Sequence, residues 1–208
     1  YGEGKGLEYN VNVSSCIMMD KHRRIRCKTE PGAGKKLKWI LTVGKQESVF
    51  PTTAYGPPEI ENIITPKGNQ VMDQQGGEWI ELNGKNFGPI GYNVQVSYGT
   101  DGLYFEGVNC EIVVHSTRIR CKSSPGIGGN IKRHGWYVTV RGQRSKLTTE
   151  AKATTYYELP ILYAVKPNNS PTEGVIGVEI IGKNLGSYAK EGTINAIEVL
   201  LDRKPISN

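Results

Sequence analysis

The chain of 208 residues contains an internal repeat of about a hundred residues. The segment IRCKTEPGAGKK at residues 25–36 returns as IRCKSSPGIGGN at residues 119–130, 94 positions later. A tryptophan follows each copy, with Trp39 beginning WILTV and Trp136 beginning WYVTV. Self-similarity at a fixed period indicates repeated structural units, so this feature constrains the fold before any other.

A second set of matches lies outside that block. GEWIELNGKNFG at residues 77–88 resembles IGVEIIGKNLG at residues 176–186. Ahead of these segments, Ile60 is matched with Ile161, 101 positions later. The small differences in spacing are expected to fall in loops, which tolerate insertions.

The phase of the repeat divides the chain into three parts. One complete unit is predicted at residues 55–156. The C-terminal half of a unit precedes it at residues 1–54, and the N-terminal half of a unit follows it at residues 157–208. The last part carries two apolar strands, GVEIIG and INAIEVLL, without the cystine hairpin and Trp strand that should cover them. We therefore expect the end of one copy to be completed by the start of the next.

Apolar and polar residues alternate along the repeated segments, which indicates strands. In RRIRCK, Ile25 and Cys27 fall on one face and three basic residues on the other, and residues 118–122 repeat this pattern. Successive side chains of a strand point to opposite faces, so the pattern predicts a half-buried antiparallel strand with a basic outer face.

The core is predicted from the same alternation. Trp39 and Trp136 are expected to be core anchors, each followed by residues that alternate inward, such as Leu41 and Val43; a ligand-stacking role for the rings is the alternative. Ile80, on the GEWIELNG strand with Leu82, is expected to supply the opposing sheet. About seven short strands per hundred residues, separated by turn signals, favour an all-β sandwich.

Four cysteines stand at equivalent positions of the repeat, in two pairs of the form C-x10-C. The C-x2-C spacing typical of zinc sites is absent. We predict two local disulfides, Cys16–Cys27 and Cys110–Cys121, with four buried thiols as the alternative. Disulfides persist in oxidising compartments, so we expect a secreted or cell-surface protein.

The formal net charge of +6 is compatible with nucleic acid, an anionic polysaccharide or an ordinary solvated surface. The basic strand faces at residues 24–28 and 118–122 could follow phosphates, but disulfides argue against a nuclear or cytosolic protein, so no nucleic acid partner is expected. No apolar run approaches the ~18 residues of a membrane span. Contact with a membrane is expected only through regions outside this sequence. The opening residues lack an apolar signal core, which is typical of a mature or excerpted chain.

Motifs for catalysis are absent from the sequence. It contains no nucleophile elbow, P-loop, dinucleotide fingerprint or histidine-rich metal motif. We therefore expect no enzymatic activity, no cofactor and no metal. Two asparagines meet the glycosylation rule, Asn12 in NVS and Asn168 in NNS, and are candidates for attached glycans.

The segments PPEIENIITPKG, GGEWIELNGKNFG, TRIRCKSSPGIGG, WYVTVRGQRS and TTYYELP together resemble the IPT/TIG domain, the immunoglobulin-like module of plexins, fibrocystin-like surface proteins and Rel-type transcription factors. The resemblance covers the chain as half, whole and half module, and the paired cysteines are similar to the extracellular members. It implies tandem immunoglobulin-like β-sandwiches. VIGVEIIGKNLG departs from the pattern because it lacks the glycine pair and Trp of GGEWIELNG.

Two functional hypotheses follow. The first is a structural protein of an extracellular fibre or cell-surface coat, whose partners are copies of itself joined head to tail, either between subunits or within one long chain. The alternative is a receptor or adhesion ectodomain that binds a protein ligand. A ligand-binding module should expose an apolar patch, for which Tyr104-Phe105 and Tyr156-Tyr157 are the candidates.

Overall fold

The computed structural model describes residues 2, 9–48, 51–129, 132–169, 171–173 and 177–186. Regular structure in these residues is almost entirely β-strand, with two three-residue 3-10 helices at Val13–Ser15 and Ala151–Ala153. The prediction of an all-β fold is confirmed. The predicted strand INAIEVLL at residues 194–201 lies outside the described residues.

Among its described residues, the N-terminal segment contains three antiparallel pairs of strands. These are β1 (Cys16–Asp20) with β2 (Arg24–Cys27), β3 (Leu37–Lys38) with β6 (Thr52–Thr53), and β4 (Thr42–Val43) with β5 (Gln46–Glu47).

The described residues of the central unit form ten strands. They are β7 (Glu59–Ile64), β8 (Val71–Met72), β9 (Trp79–Lys85), β10 (Val94–Gly99), β11 (Phe105–Glu106), β12 (Val108–Val114), β13 (Arg118–Lys122), β14 (Gly135–Val140), β15 (Gln143–Arg144) and β16 (Tyr156–Tyr157). One four-stranded sheet has the order β12-β13-β9-β7, the other has the order β11-β10-β14-β15, and β16 pairs in parallel with β8.

The two four-stranded sheets share one apolar core. Ile80 and Ile119 of the first sheet and Trp136 and Val138 of the second are all fully buried in the same cluster. Because the inward side chains of both sheets meet in one layer, the central unit is a β-sandwich.

The structure corrects the predicted position of the Ile80 strand. We expected β9 to oppose both the cystine strand and the Trp136 strand. Instead β9 pairs with β13 in one sheet, with Cys121 opposite Ile80, and only β14 lies in the facing sheet. Alternation determines which side chains are inward, but it does not determine which strands are neighbours.

The C-terminal segment pairs β17 (Ile161–Lys166) antiparallel with β18 (Glu179–Lys183). This pair reproduces β7 and β9, including a bulge after the first residues. In the structure Leu162 pairs with Gly182 as Ile60 pairs with Gly84. The match of Ile60 with Ile161 is therefore wrong by one residue, a difference that places the isoleucine on the other face of the sheet.

Close backbone contact explains why both copies keep a glycine in this strand. A Cβ atom at Gly84 would lie 1.9 Å from the carbonyl oxygen of Glu59, and one at Gly182 would lie 2.2 Å from that of Ile161. Any side chain at either position would force the two strands apart.

The N-terminal segment repeats contacts of the second half of the central unit. The amide of Tyr55 donates to the carbonyl of Gly34 at 2.9 Å, and that of Tyr157 donates to Gly128 at 2.9 Å. The β1–β2 hairpin has the same bulge as the β12–β13 hairpin. The sequence repeat is therefore also a repeat of local structure.

The two tryptophans make the same hydrogen bond but differ in burial. The indole of Trp136 donates to the hydroxyl of Thr155 at 2.9 Å, and that of Trp39 donates to Thr53 at 2.7 Å. Trp136 is fully buried and stacks on Tyr98 with ring centroids 4.1 Å apart. Trp39 is only half-buried, against a small separate cluster.

We predict that Trp136→Ala destabilises the central unit by about 3 to 5 kcal/mol, because it removes a fully buried ring. The matched variant Trp39→Ala should cost about half as much or less, since that ring is already partly in water. Denaturant unfolding followed by circular dichroism measures both. Equal losses would show that the two rings are equally buried in solution.

His134 replaces an apolar residue in the core. Its backbone pairs with Thr155 as that of Leu37 pairs with Thr53, so the repeat equates His134 with a leucine. The imidazole is buried and makes edge contacts with the rings of Phe105 at 5.4 Å and Tyr157 at 5.6 Å. Burial lowers the pKa of His134 below its usual 6.5, and neither ring nitrogen has a hydrogen-bond partner among the described residues.

We predict that stability falls as the pH drops below about 6.5, because unfolded His134 takes up a proton at a pH where the folded residue remains neutral. The loss should reach at most about 1.4 kcal/mol per pH unit for this one proton. His134→Leu should remove this slope, and His115→Gln, at an exposed histidine, should retain it. Unfolding free energies measured from pH 7 to 5 compare the three proteins; identical slopes would contradict the prediction.

Candidate functional site

The four cysteines form two disulfides, and none is free. Cys16–Cys27 joins β1 to β2, and Cys110–Cys121 joins β12 to β13. Each bridge links two neighbouring antiparallel strands at the same place in the repeat. The alternative of four buried thiols therefore does not hold in this structure. The disulfides indicate an oxidising environment.

The inner face of the C-terminal segment is exposed where the central unit is buried. Leu162 is 60% exposed, whereas its counterpart Ile60 is 9% exposed. Val165 is 46% exposed, whereas its counterpart Ile63 is fully buried. The pairing of β17 with β18 repeats that of β7 with β9. The difference in exposure arises because no described residue of this chain covers β17 and β18 as the second sheet covers β7 and β9.

The N-terminal segment shows the same contrast in exposure with its counterparts in the second half of the central unit. Ile25 is 43% exposed and its counterpart Ile119 is fully buried. Val43 is 65% exposed and its counterpart Val140 is 1% exposed. Leu41 and Val43 were expected to alternate inward; they are exposed because none of the described strands lies over them.

Both segments also present open sheet edges. In the central unit β13 lies between β12 and β9. Among the described strands, the counterpart β2 pairs only with β1, and β18 pairs only with β17. An open edge presents backbone N–H and C=O groups to any strand that can pair with them. These edges and the exposed faces beside them are the candidate functional site.

The N-terminal segment is held against the central unit by buried polar contacts. The hydroxyl of Tyr9 lies 3.0 Å from that of Tyr92. The side chain of Gln143 accepts from the amide of Gly34 at 2.9 Å and donates to the carbonyl of Tyr55 at 2.7 Å. Gln143 therefore ties Gly34, and the Tyr55 backbone that is bonded to it, to the central unit.

A cluster of charges joins the central unit to the C-terminal segment. Glu158 accepts from Asn184 at 3.0 Å and lies 2.8 Å from the ammonium of Lys67, which also binds Asp73 at 2.8 Å. The hydrogen bond from Lys67 lowers the pKa of Glu158 and that of Asp73, so both carboxylates remain charged at neutral pH. Lys183 adds a cation 3.6 Å from Glu158.

The two joints share one contact. The side chain of Asn86 donates to the carbonyl of Pro57 at 3.0 Å, and that of Asn184 donates to Leu159 at 3.2 Å. The asparagine of the GKN motif therefore binds, at both joints, the backbone just ahead of the first strand of the following unit.

The glycosylation candidates are both exposed. Asn12 lies just before the first 3-10 helix, where its side-chain oxygen accepts from the Ser14 amide at 3.0 Å and hydroxyl at 2.8 Å. Asn168 follows β17, and Ser170 of its motif lies outside the described residues.

The basic outer face of β13 has partners within its own sheet. Arg120 lies 2.6 Å from Glu111 and stacks over the ring of Trp79 at 4.4 Å, and Lys122 lies over the same ring at 5.1 Å. Trp79 was not among the predicted site residues, although alternation with the inward Ile80 and Leu82 places its ring on this outer face.

The described residues contain no group of three or more His, Cys, Asp or Glu side chains able to hold a metal ion. Within the same residues, no helix has the length and apolarity needed to cross a membrane.

Comparison with models of known protein families finds no match for this chain. A search of curated proteins finds no similar sequence either.

Proposed function

We propose that this chain is a non-enzymatic structural protein of an extracellular fibre or cell-surface coat. Immunoglobulin-like sandwiches of the IPT/TIG type, joined head to tail, form its axis, and its partners are further copies of the same unit. One observation carries the proposal: the N-terminal and C-terminal segments each repeat the strand pairing of one half of the central unit, and each exposes residues and edges that the central unit buries.

Energetics favour completion of these halves. A sheet with an apolar face and open edges in water is prone to associate, and two strands alone are marginally stable. Burial of a valine, leucine or isoleucine side chain contributes roughly 1.5 to 3 kcal/mol. Covering Leu162, Val165, Ile25 and Val43 together therefore drives association of the two halves.

The head-to-tail direction determines the kind of assembly. The face offered by the C-terminal segment differs from the face offered by the N-terminal segment, so the contact is heterologous. A heterologous contact that does not close into a ring produces a filament. The disulfides support an extracellular setting, and the glycosylation candidates are consistent with it.

The receptor or adhesion hypothesis has one supporting observation. Tyr104 is 70% exposed beside Leu103, which is 58% exposed. The other candidate aromatics are engaged: Phe105 and Tyr157 contact the core, and Tyr156 lies under Arg133. Two adjacent side chains make a small patch for a protein ligand, so the structural role is favoured.

Electron microscopy of the purified native material tests the proposed function, and we expect long unbranched filaments with a uniform repeat. The mass measured in denaturant then separates the two kinds of join. A mass near 22.9 kDa plus any sugar means that separate subunits share domains, and a much larger mass means one long chain of repeats. Monodisperse short particles at all concentrations would contradict the proposal.

A further inference from the structure

We propose that β2 of a second copy of this chain adds to the open edge of β18, antiparallel, with Arg26 opposite Glu179. The inference rests on the proposed head-to-tail assembly and specifies its contact. The completed sheet then has the order β1-β2-β18-β17, with the first two strands from one copy and the last two from its neighbour.

The central unit provides the template for this pairing. There β13 and β9 pair antiparallel, with Ile119 opposite Leu82, Arg120 opposite Glu81 and Cys121 opposite Ile80. β13 comes from the half of the unit that β1–β6 reproduce, and β9 comes from the half that β17 and β18 reproduce. The β13–β9 ladder is therefore the line along which the two halves meet.

The terminal strands preserve this template in register. The β1–β2 pair repeats the pairing and bulge of β12–β13, which makes Arg26 the counterpart of Arg120. The β17–β18 pair repeats the pairing and bulge of β7–β9, which makes Glu179 the counterpart of Glu81. Because both halves keep their internal geometry, the template register carries over without adjustment.

The side chains suit this register on the inner face. Ile25 falls opposite Ile180, and Cys27 falls opposite Val178. Val178 is 54% exposed, although its counterpart Ile80 is fully buried. Pairing therefore removes from water the apolar side chains that β2 and β18 expose, and a slip of one residue would turn them outward again.

Charge is complementary on the outer face. In the template Arg120 binds Glu111 of the adjoining strand, but the residue at that position in the N-terminal segment is Ile17. Neither Arg26 nor Glu179 has an ion-pair partner in the part of the chain that the structure describes. Opposite charges directly across two antiparallel strands stabilise the pairing. In this register Arg26 and Glu179 each supply the ion-pair partner that the other lacks.

The same docking also covers the face of the C-terminal segment. In the template β14, which follows the cystine hairpin, lies over β7. Its counterpart in the incoming copy includes β4, so Val43 is brought over β17 with its neighbours. One contact thus closes the sheet edge and buries Leu162 and Val165 together.

The test introduces a pair of thiols across the proposed ladder, in the full 208-residue chain. Arg26→Cys with Glu179→Cys places them on the outer face, where neither contributes to the core. After mild oxidation, a non-reducing denaturing gel should show a ladder of multiples of 22.9 kDa. Reductant should abolish the ladder, and peptide mapping should join the two introduced thiols while both native disulfides remain.

Two matched controls define the register. Glu81→Cys with Arg120→Cys places the same pair on the template, and it should link within one chain and give no ladder. Lys28→Cys with Lys183→Cys uses the same outer face but lies far out of the proposed register. It should give about ten-fold less of the linked species than the proposed pair.

The outcomes separate this inference from the proposed function. Filaments in the microscope without a ladder from the Arg26 and Glu179 pair would overturn the register and leave head-to-tail assembly in place. Equal ladders from the proposed and out-of-register pairs would overturn it as well. A link within single chains would show that the edge is closed by the same copy, and the absence of any assembly at high concentration would overturn both proposals.

Discussion

The pairing of β13 with β9 is the interaction on which the rest of the structure depends. It joins the cystine hairpin to the first half of the central unit and sets Cys121 opposite Ile80 on the inner face. With this ladder in place, the facing sheet has a continuous apolar surface to pack on. At β2 and β18, which lack this partner among the described strands, the corresponding side chains Ile25 and Val178 are exposed.

The N-terminal half has contacts of its own that hold its local shape before it meets its complement. The Cys16–Cys27 bridge closes a loop of about a dozen residues, which by chain entropy contributes roughly 3 kcal/mol. The Trp39–Thr53 hydrogen bond is also internal to the N-terminal segment. A preformed edge loses little conformational entropy on docking, which favours regular addition of one copy to the next.

Several features of the fold could be predicted from the sequence because they are local. The repeat, the C-x10-C pairs and the period-two alternation each depend on spacing along the chain, and they led to the disulfide hairpins and the inward face of β13. The neighbour of β9 could not be predicted this way, since alternation carries no information about strand order. The one-residue error at Ile60 arose because residue identity was matched across a bulge, which shifts the register.

The joints between units had no sequence signal. Gln143 meets Gly34, and Lys67 meets Glu158, across about a hundred residues of chain, and such contacts become visible only when the fold brings the residues together. Burial of His134 could not be read from the residue alone either. Once strand pairing is known, the repeat aligns His134 with Leu37. That alignment is the signal that would have indicated its burial.

Hydrogen–deuterium exchange of the assembled and dissociated protein tests the central claim most directly. We predict that the amides of residues 24–27 and 179–183 that point away from β1 and β17 exchange quickly in dilute protein and become at least about ten-fold slower on assembly. Amides in residues 81–83, where β9 pairs with β7 on one side and with β13 on the other, should be protected in both states and serve as the internal reference. Unchanged rapid exchange at residues 179–183 in assembled protein would show that the edge of β18 stays open, and would contradict the account.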